Sequence, residues 1–485
     1  MGKGIEALVE SRLAAMSNDR DRLTKAWAPH INSVEGYFEK QGKSITSNDK
    51  RNIARCLENA LLEGGIKSRS SIFETTDSSA IQFLGIQLPV IAALLPSLVL
   101  NKLAVTQALD RRSGAVFYLD VKYGTSKGSV TAAENMMDAK LGHNQTEGGR
   151  QYASVRVTGE ALAATTTGTL GYFPVVTGTA VITDGTTGEI YTVASTDGTT
   201  DTLSGTTSGD AGSIVLATGV WTVDTTLYAG STIDYKYDWQ TGGVGGSTTS
   251  NVPEVNIAVS SSTITAEDFP LKALFTLGAA IDLEKAHGLN LEDELVKYLG
   301  GEVKFTMDHL GIDLMNAASI GAGAATSPGT YTATPSTGEA WVWKKYQFLD
   351  FVEKANVNII NKTLRAICNF IVVGNDTARL IRQLAPNFVP AAGLNTIVPT
   401  GPYELGTLDG RIVVHDPLLG ATEILFGFKG DNYLFAGFLF APYIPLFATP
   451  TLVTADLKAQ KGFLASAGYK VVNPGMYSHG TMTIV

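Results

Sequence analysis

Cysteine and histidine are scarce in this chain of 485 residues. Only Cys56 and Cys368 occur, too few and too far apart in sequence for a disulfide framework or a four-ligand zinc site. The six histidines show no His-x-x-x-His or His-Glu pairing of the kind that places two ligands on one helical face. We therefore expect no metal and no cofactor, and a reducing environment.

Positive charge and long apolar runs are also in short supply. The chain has 37 Lys plus Arg against 46 Asp plus Glu, a net charge of -9 that argues against a surface built to neutralise phosphates along its whole length. The apolar run Leu88–Leu100 is broken by Pro89 and Pro96 and is shorter than the roughly 18 to 20 residues of a membrane-spanning helix. Residues 1–6 lack an apolar signal region. We expect no membrane segment and no secretion.

With 44% hydrophobic residues the chain can bury a core, and its first part predicts helices. Apolar residues recur at helical spacing from Ile5 to Met16 and from Trp27 to Phe38. A third helix is predicted over 47–63, with Thr46 and Asp49 in capping-box spacing. Twelve basic and nine acidic side chains to position 70 make this segment mildly positive, which indicates a separable appendage.

Residues 165–250 differ in composition from the rest. They contain 24 Thr, 15 Gly and eight acidic residues, with Lys236 as the single basic one. Short β-branched runs separated by turn signals such as Asp184-Gly185 and Asp197-Gly198 predict a small β-sandwich or barrel. The alternative is a disordered Thr/Gly linker, which would lack the recurrent Val, Ile, Tyr and Trp.

The second half of the chain mixes helix and strand. A helix of about 28 residues is predicted from Asn290, with Asn290 as its cap, and a second over about 341–361. Residues 370–373 read as a buried strand, followed by a turn and another helix. The predicted class is α+β with an all-β insertion.

Two local patterns suggest chemistry. Gly124-Thr125-Ser126-Lys127-Gly128 matches the Gly-x-Ser-x-Gly motif of hydrolases and follows a predicted strand, but no clear helix starts at the turn. Gly374 is one glycine where a dinucleotide-binding turn needs three. A mobile loop and a helix cap are the favoured readings, so we predict no enzyme, with a Ser126-dependent hydrolase kept as a hypothesis.

Three segments, in the same order and with comparable spacing, resemble major capsid proteins of contractile-tailed phages, the myovirus branch of the Hong Kong 97 phage-type fold. Ala286-His287-Gly288-Leu289 is similar to the start of that family's spine helix. Residues 436–446, Ala-Gly-Phe-Leu-Phe-Ala-Pro-Tyr-Ile-Pro-Leu, and the closing segment from Lys461 to Pro474 resemble its C-terminal signatures. The positions that carry the resemblance are His287, Gly288, Pro442, Tyr443, Pro445, Gly462, Asn473 and Pro474.

The resemblance implies a division of the chain into the parts of that fold. These are a helical N-terminal segment over 1–64 with a possible scaffold-like role, the N-arm and first core segment over 65–120, an extended loop (E-loop) over 121–163, the all-β insertion domain over 164–252, a peripheral domain (P-domain) with the spine helix over 253–367, an axial domain (A-domain) over 368–440 and the C-terminal β-segment of the core over 441–485.

The resemblance also implies a function. Such a chain self-assembles as hexamers and pentamers into the icosahedral head shell, which encloses phage double-stranded DNA without sequence specificity. The implied partners are further copies of itself, portal, scaffold, maturation protease and possible decoration proteins. The implied location is the virion capsid, assembled in the cytoplasm of the host bacterium, with no membrane contact.

Family members are often processed after a Leu/Ile-x-Glu site. Leu61-Leu62-Glu63 and Ile72-Phe73-Glu74 both match, so Glu63 and Glu74 are candidate processing positions, although a three-residue match also arises by chance. Two other functions remain open: the pentameric vertex paralogue of the same fold, and a glycan-binding virion adhesin that would use the Thr/Gly-rich module.

Overall fold

The structure is a computed structural model that describes residues 21–40, 45–63, 97–127, 131–133, 152, 154–206, 210–238, 254–288, 291–363, 366–391, 401–430, 436–449, 451–453 and 458–483. Within these residues, no helix has both the length and the apolar character needed to cross a membrane. The predicted helix from Ile5 to Met16 and most of the apolar run Leu88–Leu100 lie outside the described residues.

The helices in the described residues are α1 Ala28–Lys40, α2 Ser47–Glu63, α3 Leu100–Leu103, α4 Leu277–His287, α5 Leu291–Ile320, α6 Trp341–Thr363 and α7 Asn375–Ile381. The strands are β1 Val105–Thr106, β2 Ser113–Tyr123, β3 Arg156–Ala161, β4 Thr167–Thr169, β5 Val181–Thr183, β6 Ile190–Thr196, β7 Thr200–Gly205, β8 Ala211–Val215, β9 Val220–Val223, β10 Thr232–Lys236 and β11 Val255–Thr265. They continue with β12 Glu267–Thr276, β13 Gly329–Thr332, β14 Phe370–Val373, β15 Phe388–Pro390, β16 Tyr403–Leu408, β17 Arg411–His415, β18 Glu423–Gly427, β19 Phe438–Ala448, β20 Leu452–Val453, β21 Lys458–Val471 and β22 Tyr477–Thr483. The α+β class predicted from the sequence is confirmed.

The chain divides into two compact units, residues 1–118 with 260–485 and residues 119–259. In the larger unit one sheet has the strand order β1-β19-β21-β12, with β20 beside β21. β1 is parallel to β19, whereas β21 is antiparallel to both β19 and β12. The long helix α5 contributes Val303, Met307 and Met315 to the core that this sheet shares. α5 confirms the predicted spine of about 28 residues, because it runs for 30.

A second sheet of the larger unit has the order β13-β22-β18-β14-β17-β16-β15. Helix α6 packs on it through Phe348, Phe351 and Ile359. The predicted strand over 370–373 is confirmed as β14. This sheet draws β13 and β22 from outside the predicted axial domain 368–440, since β22 pairs antiparallel with β18. The C-terminal segment therefore supplies strands to both sheets, and the finer division into domains stays a prediction.

Helix α2 has the bounds that the sequence predicts, but it is not a separable appendage. Its capping box is formed: Thr46 N donates to Asp49 Oδ2 at 3.1 Å, and Asp49 N donates to Thr46 Oγ1 at 3.2 Å. Its Ile53 and Leu57 are fully buried in the same core as the spine helix. The prediction that this segment is a separable appendage was wrong. It was based on net charge, which carries no information about the apolar face that α2 buries in the core.

In the smaller unit, β2 pairs with β11, and an antiparallel sheet of eight strands has the order β3-β10-β5-β6-β7-β8-β9-β4 in the described residues. Val176 N donates to Lys236 O at the end of β10, and Val175 N donates to Leu216 O just after β8. Residues 175 and 176 therefore connect strands that are not neighbours in the sheet, and the sheet curls around its own hydrophobic core. This confirms a folded β-module over a disordered linker. β3 begins at Arg156 and pairs with β10, so this sheet includes residues before the predicted start of the insertion at 164, and that boundary stays a prediction.

A buried carboxylate fixes one turn of this module. Asp184 Oδ1 accepts bonds from the backbone N–H groups of Thr186 and Thr187, and Oδ2 accepts from Tyr228 N at 3.0 Å. Burial by itself raises the pKa of Asp184, but the hydrogen bonds from Tyr228, Thr187 and Thr186 outweigh it and hold the pKa well below its ordinary value. The ionised carboxylate is therefore part of the fold.

Replacing this carboxylate tests its role. We expect Asp184→Asn to lower the free energy of opening of β5 and β6 by about 1 to 3 kcal/mol at neutral pH, because an amide cannot accept all of these bonds. The advantage of the wild type is present above the unfolded pKa and shrinks in acid as pH falls through the depressed folded pKa. Hydrogen exchange of the full chain measures this opening.

The matched control is Asp197→Asn, since exposed Asp197 accepts bonds from Thr199 N and Thr200 N in a similar turn. It should produce a smaller change. Equal effects of the two substitutions would show that the burial of Asp184 contributes nothing to the free energy of opening.

Candidate functional site

Strand β19 carries three of the signature positions, Pro442, Tyr443 and Pro445. Its register against β21 shifts between Pro442 and Ile444 and again between Ile444 and Phe447. Proline lacks the N–H group that a regular ladder uses, and a bulge leaves neighbouring backbone groups free for other partners. The signature thus marks the place where β19 departs from regular pairing.

The backbone carbonyls at these bulges hold two other segments of the chain. Pro442 O accepts a bond from Leu109 N at 3.0 Å. Tyr443 O accepts a bond from Asn59 Nδ2 of helix α2, also at 3.0 Å. β19 therefore binds both the segment that follows β1 and helix α2.

His287 and Gly288 lie at the end of α4. Gly288 adopts a left-handed conformation with φ 65°, and its N–H donates to Glu284 O at 2.9 Å. A left-handed residue at this place is a common helix stop and favours glycine. The segment that resembles the start of the spine helix therefore ends the preceding helix, and α5 begins at Leu291. The predicted cap Asn290 lies outside the described residues.

The remaining signature positions fix local backbone geometry. Gly462 N donates to Thr449 Oγ1 and Thr449 N donates to Gly462 O, both at 2.8 Å. A Cβ atom at Gly462 would lie 3.2 Å from Thr449 Oγ1, so glycine permits this close approach. Asn473 Oδ1 accepts a bond from Gly475 N at 2.9 Å, and Pro474 opens the short 3-10 turn before β22. These positions shape the chain.

A buried carboxylate of the spine helix holds the segment that leads into β1. Asp308 accepts bonds from Val99 N at 3.2 Å and from Leu100 N at 3.0 Å. Burial raises the pKa of Asp308 to about 6, while Lys304 and these two bonds act against the rise. This contact could not be predicted from the sequence, because an aspartate inside a helical pattern is usually an exposed residue.

Lys127, inside the Gly-x-Ser-x-Gly match, is a buried structural cation of the smaller unit. Its Nζ donates to Tyr152 O at 3.1 Å and to Tyr237 OH at 3.3 Å, and lies 4.9 Å from the centroid of the Tyr237 ring. It also donates to Ser154 O. Burial lowers the pKa of Lys127 to about 8. Lys127 thereby ties the segment after β2 to Tyr152, Ser154 and Tyr237.

Ser126 does not sit on a strand-turn-helix elbow. Its Oγ accepts a bond from Ala132 N at 2.9 Å, and no helix begins among residues 124–127 or 131–133. Both cysteines are buried as free thiols. Over the described part of the chain no group of three or more His, Cys, Asp and Glu is placed to hold a metal ion.

The two candidate processing positions differ in what the structure shows. Glu63 is the last residue of α2, and Leu61 two residues before it is 1% exposed. Glu74 lies outside the described residues. The Leu61-Leu62-Glu63 match is therefore part of a docked helix.

Helix α6 begins with large exposed side chains. Trp341 is 50% exposed and Trp343 is 73% exposed, although the chain has only five tryptophans. Tyr346 lies one turn further on, and Lys345 Nζ is 5.7 Å from the centroid of the Trp341 ring. Trp and Tyr are enriched among residues that carry binding energy at protein interfaces. Because they are two positions apart, Trp341 and Trp343 point to different sides of the helix. We call Trp341, Trp343 and Tyr346, the exposed rings around the start of α6, the α6 aromatic surface.

In these arrangements buried polar side chains hold backbone segments in place, and large apolar side chains remain exposed. The sequence model of the family described as Major capsid protein Gp23 matches residues 82–483, and the chain belongs to this family. This confirms the recognition of a major capsid protein of the contractile-tailed phage type.

Curated relatives are named major capsid proteins. The one from Enterobacteria phage T6 is 26% identical over 220 residues, which cover 42% of this chain and 44% of the relative. The one from Vibrio phage KVP40 is 27% identical over 245 residues, 47% of each chain. This chain thus spans less than half the length of the curated relatives it matches.

Solved structures with a similar arrangement are also phage proteins. "The capsid of Myoviridae Phage XM1" matches with a TM-score of 0.33 and 11% identity, over 49% of this chain and 81% of that one. A chain from Microbacterium phage Oxtober96 matches with a TM-score of 0.32 and 14% identity, over 51% and 82%. At these scores the superpositions add no argument to the family match.

The raised pKa of Asp308 predicts how the stability of the chain changes with pH. A folded pKa of about 6 lies above the ordinary value of 3.8, so the folded chain binds this proton more tightly than the unfolded chain does. The wild type should therefore gain stability relative to Asp308→Asn as pH falls from 7 to 4.5, by about 2 kcal/mol. Urea unfolding of the full chain at the two pH values measures the change.

Asp313→Asn, at an exposed position on the same helix, is the control and should keep the wild-type pH dependence. A difference between wild type and Asp308→Asn that is the same at both pH values would contradict the assignment.

Proposed function

We propose that this chain assembles as hexamers and pentamers into the icosahedral head shell that encloses phage double-stranded DNA. The observation that carries the proposal is membership of the Gp23 capsid family over residues 82–483. A closed shell repeats one chain under rotational symmetry, so each contact patch meets a different patch of a neighbouring copy. Stable contacts of this kind bury on the order of 1,600 Å².

The α6 aromatic surface is the described surface best suited to such a contact. Trp343 presents a large ring to solvent, and the nearby Lys345 adds a cation beside Trp341. Burial of exposed apolar area against a second copy supplies the free energy of association, at about 25 cal/mol per Å² before the entropic costs.

The net charge of the chain limits how strongly it can bind the enclosed DNA. With a net charge of -9, contact with the enclosed DNA would be free of sequence specificity and weak along most of the surface. Portal, scaffold, maturation protease and possible decoration proteins are the other partners of the proposal. Assembly in the cytoplasm of the host bacterium belongs to the same proposal.

Processing after Glu63 is part of the proposal as well. Because Leu61 is buried and Glu63 is helical, the last turn of α2 has to leave its docked position before a protease can bind it as an extended segment. Cleavage would then follow a conformational change of the N-terminal segment. Glu74 remains the alternative position.

Electron microscopy and light scattering of the purified full chain across a salt series test assembly. We expect tubes, sheets or round particles. Trp343→Ala should raise the protein concentration needed for assembly about tenfold, because loss of a central aromatic contact costs at least 1 to 2 kcal/mol.

Val357→Ala is the control, since Val357 is exposed on the same helix about four turns along the axis from Trp343. It should leave the assembly concentration unchanged. A small oligomer of uniform size at every salt concentration would contradict the proposed function.

A further inference from the structure

The segment 105–109 forms one edge of the sheet β1-β19-β21-β12. Gln107 N donates to Phe440 O at 2.9 Å and Leu109 N donates to Pro442 O at 3.0 Å, so the odd-numbered amides face β19. Successive residues of an extended strand direct their backbone groups to opposite sides. The backbone groups of Thr106 and Ala108 therefore point away from the sheet, toward the place of a further strand.

Asn52 of helix α2 occupies that place with its side chain. Its Nδ2 donates to Thr106 O at 3.1 Å, and its Oδ1 accepts from Ala108 N at 3.2 Å. In a parallel ladder, a residue opposite Gln107 would donate to the carbonyl of the residue before it and accept from the amide of the residue after it. The buried amide of Asn52 thus substitutes for one peptide unit of a parallel strand.

Two further asparagines extend the contact along the same helix. Asn48 Nδ2 donates to Thr106 O at 3.2 Å. Asn59 Nδ2 donates to Leu109 O at 2.8 Å and to Tyr443 O at 3.0 Å. A helix has its own backbone bonds satisfied internally and offers only side chains to an edge. Asn48 and Asn52 cover the outward groups of Thr106 and Ala108. Asn59 instead bonds the inward-facing Leu109 O together with Tyr443 O of β19, and so anchors the helix at the end of the edge. We call Asn48, Asn52 and Asn59 the asparagine ladder.

We propose that α2 covers this edge in the free chain, and that its departure during assembly, which has to release Ile53 and Leu57 from the core, opens the edge to parallel pairing with an extended strand of a second copy of this chain. The proposal rests on the proposed shell function, which supplies the second copy. An exposed edge is a template for pairing with another chain, and chains that assemble on cue keep such edges covered until they are needed.

The opposite end of the same sheet has the direction that this pairing requires. β1 is parallel to β19, and β12 is related to β19 by two antiparallel steps through β21, so β12 is also parallel to β1. In the described residues β12 ends the sheet, and its residues 271–276 beyond Pro270 all carry backbone amides. Copies related head to tail would therefore present β12 to the uncovered edge in parallel, the type of contact that closes into rings.

The test loosens the cover in the full chain. Asn52→Leu with Asn59→Leu keeps side chains of similar size and removes the amides, so we expect exchange of the Ala108 amide to accelerate at least tenfold. We also expect assembly, followed by light scattering, to begin at a several-fold lower protein concentration. Arg51→Ala is the control, because Arg51 lies on the exposed side of α2 and pairs with Asp21; it should change neither measurement.

The outcomes separate this inference from the shell function. Assembly of the wild type tests the shell function alone. Faster Ala108 exchange without earlier assembly overturns the cover, and unchanged exchange overturns the asparagine ladder. If the double variant does not fold, the single variant Asn52→Leu is judged by the same two measurements. In assembled particles, protection of amides over 271–276 is expected, and exchange as fast as in the free chain would overturn the pairing with β12.

Discussion

The ladder between β19 and β21 is the interaction on which the larger unit depends. It joins Phe438 at one end to Val471 and continues to Ala448 opposite Phe463. Pro442 and Pro445 cannot donate, and β19 shifts register against β21 between Pro442 and Phe447. On its other edge β19 pairs with β1, and Tyr443 O accepts a bond from Asn59 of α2. Strand β19 therefore contacts β21, the edge strand β1 and helix α2. Helix α5 packs on the same core.

Buried polar side chains in this chain hold backbone segments in place through hydrogen bonds. Asp308 holds the start of α3, Asp184 fixes a turn of the β-module, Lys127 ties the segment after β2, and Asn52 covers a sheet edge. An unsatisfied buried group would cost about 1 to 3 kcal/mol, so each contact specifies one position of its segment. Such defined positions suit the proposed assembly, in which segments of one copy meet segments of another.

Elements with local signals could be predicted from the sequence. The capping box at Thr46 located α2, apolar spacing located the spine helix α5, and a β-branched run located β14. The pairing of β3 with the insertion and of β22 with the second sheet could not, because strand partners distant in sequence leave no local pattern. The docking of α2 was missed for a related reason: asparagine usually indicates a solvated position, and only its partners show otherwise.

The central claim is that this chain tiles a closed container with copies of itself and carries the contacts on surfaces described above. A cryo-electron microscopy reconstruction of the particles formed by the purified full chain tests it most directly. The account predicts fivefold and sixfold clusters of one protomer, with Trp343 buried between neighbouring copies. Particles without rotational clusters, or a symmetric shell in which Trp343 faces solvent on every protomer, would contradict it.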